Sequence, residues 1–337
     1  MTHSAELSLA RPRWQRELAE AINRPEELLA ALGLPAELLA GARAASRLFD
    51  LRVPRGFLAR MRHGDANDPL LRQVLPLGDE LDEAQGFVSD PLDEAAARRA
   101  PGLLQKYQGR ALLIATEACA VHCRYCFRRE FPYSEQVDSG GPRWSAALEA
   151  ITRDSSIEEV ILSGGDPLSL SDARLTQLTD AIGHIAHVRR LRIHTRQPVV
   201  LPSRVDAGLL TWLGGIRLPV VMVLHANHPN EIDPEVRAAC AALKSAGVTL
   251  LNQSVLLKGV NDDVEILQRL SVALVEAGVV PYYLHLPDRV RGTAHFDVAE
   301  ETARALLDAL MARVSGYLVP RLVREVPGAA SKLPVSL

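Results

Sequence analysis

The sequence predicts an α/β protein with a parallel sheet, and three observations predict it. From Arg110 onward, six short apolar or β-branched runs alternate with helical patterns, the order that βαβ units impose. Two of those patterns, "DPEVRAACAALKSAG" and "NDDVEILQRLSVALVEAG", open on an Asp or Asn cap and close on Gly. Every run ends in polar or glycine-rich residues, and in parallel α/β folds ligands sit beyond the C-terminal strand ends. An incomplete barrel and an open, doubly wound sheet both satisfy this pattern.

Taken in order, residues 1–105 read as a helical N-terminal region, rich in Ala, Leu, Arg and Glu and without clear alternating strands. "RPEELLAALGL" places Pro25 and Glu26 at a helix start and Gly33 at its end. "DPLDEAAARRAPG" reads as another helix, acids first and bases last, then Pro101 and Gly102. The six runs fall in residues 106–300: "ALLIAT" (111–116), "EVILSG" (159–164), "LRIHT" (191–195), "LPVVMVLHA" (218–226), "VTLLNQSVLL" (248–257) and "VPYYLHL" (280–286). Residues 301–337 hold a helix, a final strand and a tail of small residues around Lys332.

Composition narrows the function. The 337 residues are 47% hydrophobic, enough for a large core, and 38 basic against 41 acidic residues leave a net charge of −3. No nucleic-acid or membrane surface held by bulk charge is expected. No apolar run reaches transmembrane length and no signal-peptide core opens the chain, so a soluble, cytoplasmic protein is expected. Four cysteines, three of them within eight residues, do not make a disulfide framework. In a reducing compartment such a cluster points to metal binding or catalysis.

Those three are Cys119, Cys123 and Cys126 in "TEACAVHCRYCFRR", spaced Cys-x3-Cys-x2-Cys after the first strand. A tetrahedral zinc site wants four ligands, usually in two knuckles, and no second knuckle exists. Cys240 lies mid-helix and reads as a small buried hydrophobe. Three thiolates suit a [4Fe–4S] cluster with one iron open to a small molecule; a structural metal knuckle is the plain alternative.

The spacing, after strand one of a β/α repeat, resembles the radical S-adenosylmethionine superfamily. That resemblance implies a partial (β/α)6 barrel whose open iron binds S-adenosyl-L-methionine and yields a 5′-deoxyadenosyl radical. Tyr125 matches the aromatic residue common between the cysteines. "SGGDP", with Ser163, Gly164, Gly165 and Asp166, resembles the glycine-rich segment that meets the methionyl amino group. Glycines admit such close approach, although an ordinary strand-to-helix turn uses them too.

The tail "REVPGAASKLPVSL" places Lys332 among glycine and small residues. That setting suits a Schiff base with pyridoxal 5′-phosphate; a solvated tail lysine is the plain reading. Together with "CRYCFRREF", "HTRQPVV", "HANHPNE", "LNQSVLLKGVND" and "YYLHLPDRVRGTAHF", the tail resembles the lysine 2,3-aminomutases from Lys106 to Lys332. The short branch, which makes β-lysine for modification of elongation factor P, is the nearest. The resemblance implies an isomerase that converts L-lysine to β-lysine by a 1,2-amino shift, with an electron donor for the cluster. Its partners would be elongation factor P or its ligase, for which the N-terminal region offers a docking place.

The resemblance also implies roles. Lys332 would carry the pyridoxal group. Arg128 would bind the substrate α-carboxylate, which a guanidinium fork fits. Arg196 and Arg110 would hold cofactor phosphate. His225 and Gln253 would line the S-adenosylmethionine and pyridoxal pocket. Asp288 would meet the substrate ε-ammonium. In plainer readings Arg196 and Asp288 are surface ion-pair partners and His225 is a core histidine. One departure stands out: where longer members have a second aspartate, seven residues before the lysine, this chain has Glu325. The charge stays and the reach lengthens, so the ammonium would be held differently. The longer members' extension with zinc-binding cysteines has no counterpart, so no zinc is expected and the oligomer is left open. Two rivals remain. A glutamate aminomutase would want a cation where Asp288 stands, and Arg289 and Arg291 are close by. A non-catalytic iron–sulfur or zinc-binding protein would show neither pyridoxal absorbance nor S-adenosylmethionine cleavage.

Overall fold

In the computed structural model, which describes residues 11–136 and 144–335, all six runs are strands of one sheet. Among the described residues the sheet holds ten strands in chain order: β1 (Arg98–Ala100), β2 (Leu103–Tyr107), β3 (Arg110–Thr116), β4 (Glu159–Gly164), β5 (Arg190–Thr195), β6 (Val220–Leu224), β7 (Thr249–Val255), β8 (Val280–His285), β9 (Arg321–Arg324) and β10 (Leu333–Pro334). Strands β3 to β9 pair in parallel. β1, β2 and β10 add to the two edges antiparallel.

This order decides between the two architectures. A doubly wound sheet reverses its strand order at a switch point, and here the order never reverses. The edges do not pair, yet Lys106 on β2 reaches Glu325, just past β9, at 2.9 Å. The sheet therefore curls until its edges face each other, an incomplete barrel. Strand β7 shows the two faces: Leu250, Asn252 and Ser254 are buried, while Leu251, Gln253 and Val255 between them are only half-buried.

The outer face is covered by helices whose ends follow the sequence. The Asp233 carboxylate accepts from the Val236 N–H at 2.8 Å and caps Pro234–Ser245. Asp263 accepts from Glu265 and Ile266 N–H and caps Val264–Glu276. The glycines beyond, Gly247 and Gly278, take φ of +83° and +77°, where a side chain would strain the turn. Leu191, Ile193, Leu209, Met222, Val236, Leu243 and Cys240 close the core between sheet and helices.

The N-terminal region departs from expectation in two places. Helices Arg13–Ala19, Pro25–Leu32 and Leu38–Leu48 form, and Gly33 ends the second with φ +61°. "DPLDEAAARRAPG", however, is not a helix. The Asp90 carboxylate accepts from the Glu94 and Ala95 N–H groups at 3.0 and 3.1 Å, and Asp93 turns left-handed at φ +49°. A short acidic side chain has replaced the helical hydrogen-bond ladder. The second departure is the hairpin of β2 onto β3, so strand structure begins at Arg98, inside the region expected to be helical. The helices bury Trp14, Ile22, Leu28, Phe57, Leu70 and Leu71 in one cluster with Ala120 and Val121 of the cysteine loop.

Candidate active site

The cysteine loop leaves the C-terminal end of β3 and is held by the N-terminal region. The His122 N–H donates to Arg52 O at 3.0 Å and the Arg124 N–H to Gln73 O at 2.8 Å. The Arg124 side chain is fully buried. It donates to both oxygens of Glu80, at 2.8 and 2.6 Å, and to Phe49 O at 2.8 Å. Arg129 donates to the same Glu80 at 2.6 Å. Cys119, Cys123 and Cys126 stand half-buried on this frame. Burial pushes the Cys119 and Cys126 thiols up, the latter to about 11, and the neighbouring cysteines push them further. Such thiols ionise when a cation sits beside them. Among the described residues no three His, Cys, Asp or Glu side chains converge as ligands of one ion would. A [4Fe–4S] cluster takes each thiolate on a different iron, and three cysteines on one loop fit that demand.

"SGGDP" packs directly under this loop. A Cβ on Gly165 would lie 2.5 Å from both Glu117 O and Ala118 O, and Gly164 has φ +112°, so only glycine lets the segments touch. The Asp166 carboxylate accepts from Thr195 Oγ1, Leu168 N, Arg196 N and Gln197 N, so it ties β4 to β5. Burial raises it, against those hydrogen bonds. Arg196 also has all its partners within the fold. Its buried guanidinium donates to Cys123 Sγ at 2.7 Å, Gln73 Oε1 at 2.6 Å and Glu231 Oε2 at 2.9 Å. Its partners lie on the cysteine side. Tyr125 accepts at its hydroxyl from Asn227 Nδ2 at 2.7 Å and packs edge-on against Phe296.

A second set of charges crosses the interior from tail to loop. Lys332 Nζ donates to Glu325 Oε2 at 2.5 Å, and Lys106 donates to Glu325 Oε1 at 2.9 Å. Lys106 also pairs with Glu94 at 3.1 Å, and Arg128 donates to both Glu94 oxygens at 2.7 and 2.8 Å. Arg128 Nη1 then reaches Ser163 Oγ on β4 at 3.0 Å. Burial opposes the Glu325 charge, but Lys332 and Lys106 outweigh it and hold its carboxyl at about 2. Asp288 feels the same group of charges. Burial first, then Glu325, lifts its carboxyl to about 7 against the pull of Lys332 and Lys106.

Imidazoles complete the interior. His194, His225 and His285 end β5, β6 and β8, and the Nε2 of each is buried without a partner among the described residues. Burial drives all three toward the neutral form, His225 to about 4, and Lys332 adds to the effect in each. Their unsatisfied Nε2 atoms are groups that a bound molecule would engage. Gln253 lies on the same inner face of β7, in register with Tyr283. Arg110 stacks on Tyr107, 4.6 Å from ring centre, and burial followed by Glu325 raises the Tyr107 hydroxyl. Tyr107 and Arg110 thus border the Glu325 end. The sequence reading missed Glu94, Lys106, His194 and His285. The histidines stood inside strand-end motifs. Glu94 carried no signal beyond its charge.

Comparisons with known proteins show what the chain is similar to. Residues 108–192 match the model of a 4Fe-4S single cluster domain. An L-lysine 2,3-aminomutase of Escherichia coli (strain K12) is 49% identical over 100% of this chain and 98% of that protein. One of Haemophilus influenzae is 48% identical over 95% of this chain and 94% of that protein. The L-lysine 2,3-aminomutase of Clostridium subterminale is 36% identical over 96% of this chain and 77% of that protein. Among solved structures, a radical SAM methyltransferase from Sphaerobacter thermophilus aligns with TM-score 0.46 and 18% identity, over 69% of this chain and 73% of that one, a likeness too slight to carry an argument.

Proposed function

Since this chain belongs to the L-lysine 2,3-aminomutase family, we propose that its interior moves the α-amino group of L-lysine to C3, giving β-lysine. Cys119, Cys123 and Cys126 would hold a [4Fe–4S] cluster, which with S-adenosylmethionine would supply a carbon radical, and Lys332 would hold pyridoxal phosphate, which would stabilise the unpaired electron as the nitrogen migrates. One observation carries the reading. The unbroken line Lys332–Glu325–Lys106–Glu94–Arg128 runs from the tail lysine to the cysteine loop, which supports one site for both cofactors.

The chain's own residues then have positioning tasks. Arg128 takes the substrate carboxylate, beside Ser163. Glu325 and Asp288 take the ε-ammonium end. Three neutral imidazoles and the curled sheet keep water and stray hydrogen donors from the reacting carbons. Arg110, stacked on Tyr107 at the Glu325 end, and Arg196 are the cations for the cofactor phosphate in this reading, while Ser163, Gly164 and Gly165 offer backbone to S-adenosylmethionine. The same geometry favours lysine over glutamate. A glutamate side chain would set its carboxylate against Glu325 and Asp288. The two arginines that kept that rival alive face outward, Arg289 on Asp297 and Arg291 on Glu130, with 59% and 61% of their side chains exposed.

The product's use in elongation factor P modification, in the cytoplasm, belongs to the same proposal and is supported by the motif resemblance to the short branch. Among the described residues no helix is long and apolar enough to cross a membrane. The test is anaerobic reconstitution with iron, sulfide and pyridoxal phosphate, then S-adenosylmethionine, dithionite and L-lysine. β-Lysine forms in the wild type and vanishes in Lys332→Ala and Cys126→Ala. A protein loaded with both cofactors that leaves lysine unchanged refutes the substrate assignment.

A further inference from the structure

We infer that Glu94 is a positioning residue that fixes the Arg128 guanidinium for the substrate carboxylate; this rests on the Arg128 role proposed above. Arg128 is buried, and its Nε and Nη2 edge is filled by Glu94 at 2.7 and 2.8 Å. Nη1 donates to Ser163 Oγ at 3.0 Å. A guanidinium has five N–H groups. Four are engaged here, the fourth a long contact from Nη1 to Gly164 O at 3.5 Å, which leaves a free N–H on Nη2 and a weakly held one on Nη1 to grip an incoming carboxylate. The faces of the group lie over Phe127 and Phe131, at 4.9 and 5.6 Å, so its plane is held as well.

Glu94 is itself held from three sides. Lys106 pairs with it at 3.1 Å and with Glu325 at 2.9 Å, so Glu94 joins the carboxylate end of the site to the ammonium end. Asp90 pins the Glu94 N–H at 3.0 Å, and Leu92 beside it is buried. The strap that delivers it is fastened to the loop after β8. The Val88 N–H donates to Arg289 O and the Arg291 N–H to Val88 O, both at 3.0 Å, a bridge that pairs Val88 with Val290. Asp288 lies on that same loop. The N-terminal strap thus spans the two groups that would grip opposite ends of the substrate, with Glu94 between them.

The experiment separates this role from a merely structural ion pair. Cluster- and pyridoxal-loaded wild type, Glu94→Gln and Glu94→Asp are titrated without reductant, so no turnover occurs, and binding is followed by pyridoxal absorbance. The probes are L-lysine and 1,5-diaminopentane, which is lysine without its carboxylate. Glu94→Gln weakens lysine binding by about tenfold to a hundredfold, the worth of a charge-assisted hydrogen bond, and leaves the diamine within about twofold. Glu94→Asp recovers part of the lysine affinity. Equal weakening of both probes would make Glu94 a structural partner only. Unchanged lysine binding, or tighter binding from relief of competition at Arg128, would also overturn the proposal. If Glu94→Gln does not fold, the ratio between the probes in Glu94→Asp decides in the same way. A wild type whose absorbance ignores lysine would instead refute the substrate reading, and the Glu94 role with it.

Discussion

Glu80 is the residue on which the cysteine loop's position most depends, and Glu80→Gln measures that dependence. Its buried carboxylate accepts from Arg124 Nε and Nη2, Arg129 Nη2 and Leu77 N, at 2.8, 2.6, 2.6 and 3.1 Å. Both arginines flank Cys126 in the chain. Gln keeps the shape, loses the charge and replaces one acceptor with a donor facing guanidinium hydrogens. Breaking a buried pair from one side costs about 3–5 kcal/mol. Gln keeps one acceptor, so about 3 kcal/mol is expected, roughly a hundredfold in the folded-to-unfolded ratio. A domain of this size survives that loss, but the frame of the cysteines loosens. The assay is iron and sulfide bound per chain after anaerobic reconstitution, beside the urea midpoint of the cluster-free protein. Iron falls below about half and the midpoint drops in Glu80→Gln, with partial recovery in Glu80→Asp. Full iron loading with an unchanged midpoint would refute the view that this pair positions the loop.

Three further outcomes follow from named groups. Asp288 titrates at about 7 in the fold and near 4 when unfolded, so the fold holds an extra proton between; that stability is present below about 4 and lost as pH rises through about 7. Asp288→Asn should flatten the unfolding midpoint over that window, and it should abolish the strengthening of lysine binding as wild-type Asp288 ionises through pH 7; an unchanged profile would sink the assignment. Glu325, held at about 2, is charged throughout that range, so Glu325→Gln weakens lysine binding about tenfold and evenly across pH 6–8 in the same titration, whereas a loss confined to one end of the range would contradict it. Gly165→Ala pushes a methyl group onto Glu117 O and Ala118 O, costing about 1–3 kcal/mol and lowering iron loading, while Gly183→Ala, with nothing within 4 Å, leaves both alone in unfolding and iron assays.

The six strands and the three cysteines were legible because their signals are local: alternation, caps and spacing lie within a few residues. Strands β1 and β2 were not, since a short edge hairpin is stabilised by β3 and has no period of its own. "DPLDEAAARRAPG" carried a helix's charge order, but the Asp90 side chain offered the backbone closer partners. Asp166 and Arg196 were found as polar residues at strand ends, yet their partners come from other strands and the N-terminal region, which no local pattern specifies. Glu94 lies 34 residues from Arg128, and only the folded strap brings the two together. The N-terminal region packs on the cysteine loop, a contact that no local pattern specifies.

The central claim is that the cysteine cluster and Lys332 serve one site. The most direct measurement is anaerobic turnover of L-lysine carrying deuterium at C3, with mass analysis of 5′-deoxyadenosine and β-lysine. A single site puts the adenosyl carbon against C3, so deuterium appears in 5′-deoxyadenosine and returns to C2 of β-lysine. Unlabelled 5′-deoxyadenosine, released while lysine stays unchanged, would mean that the two anchors do not act on one substrate.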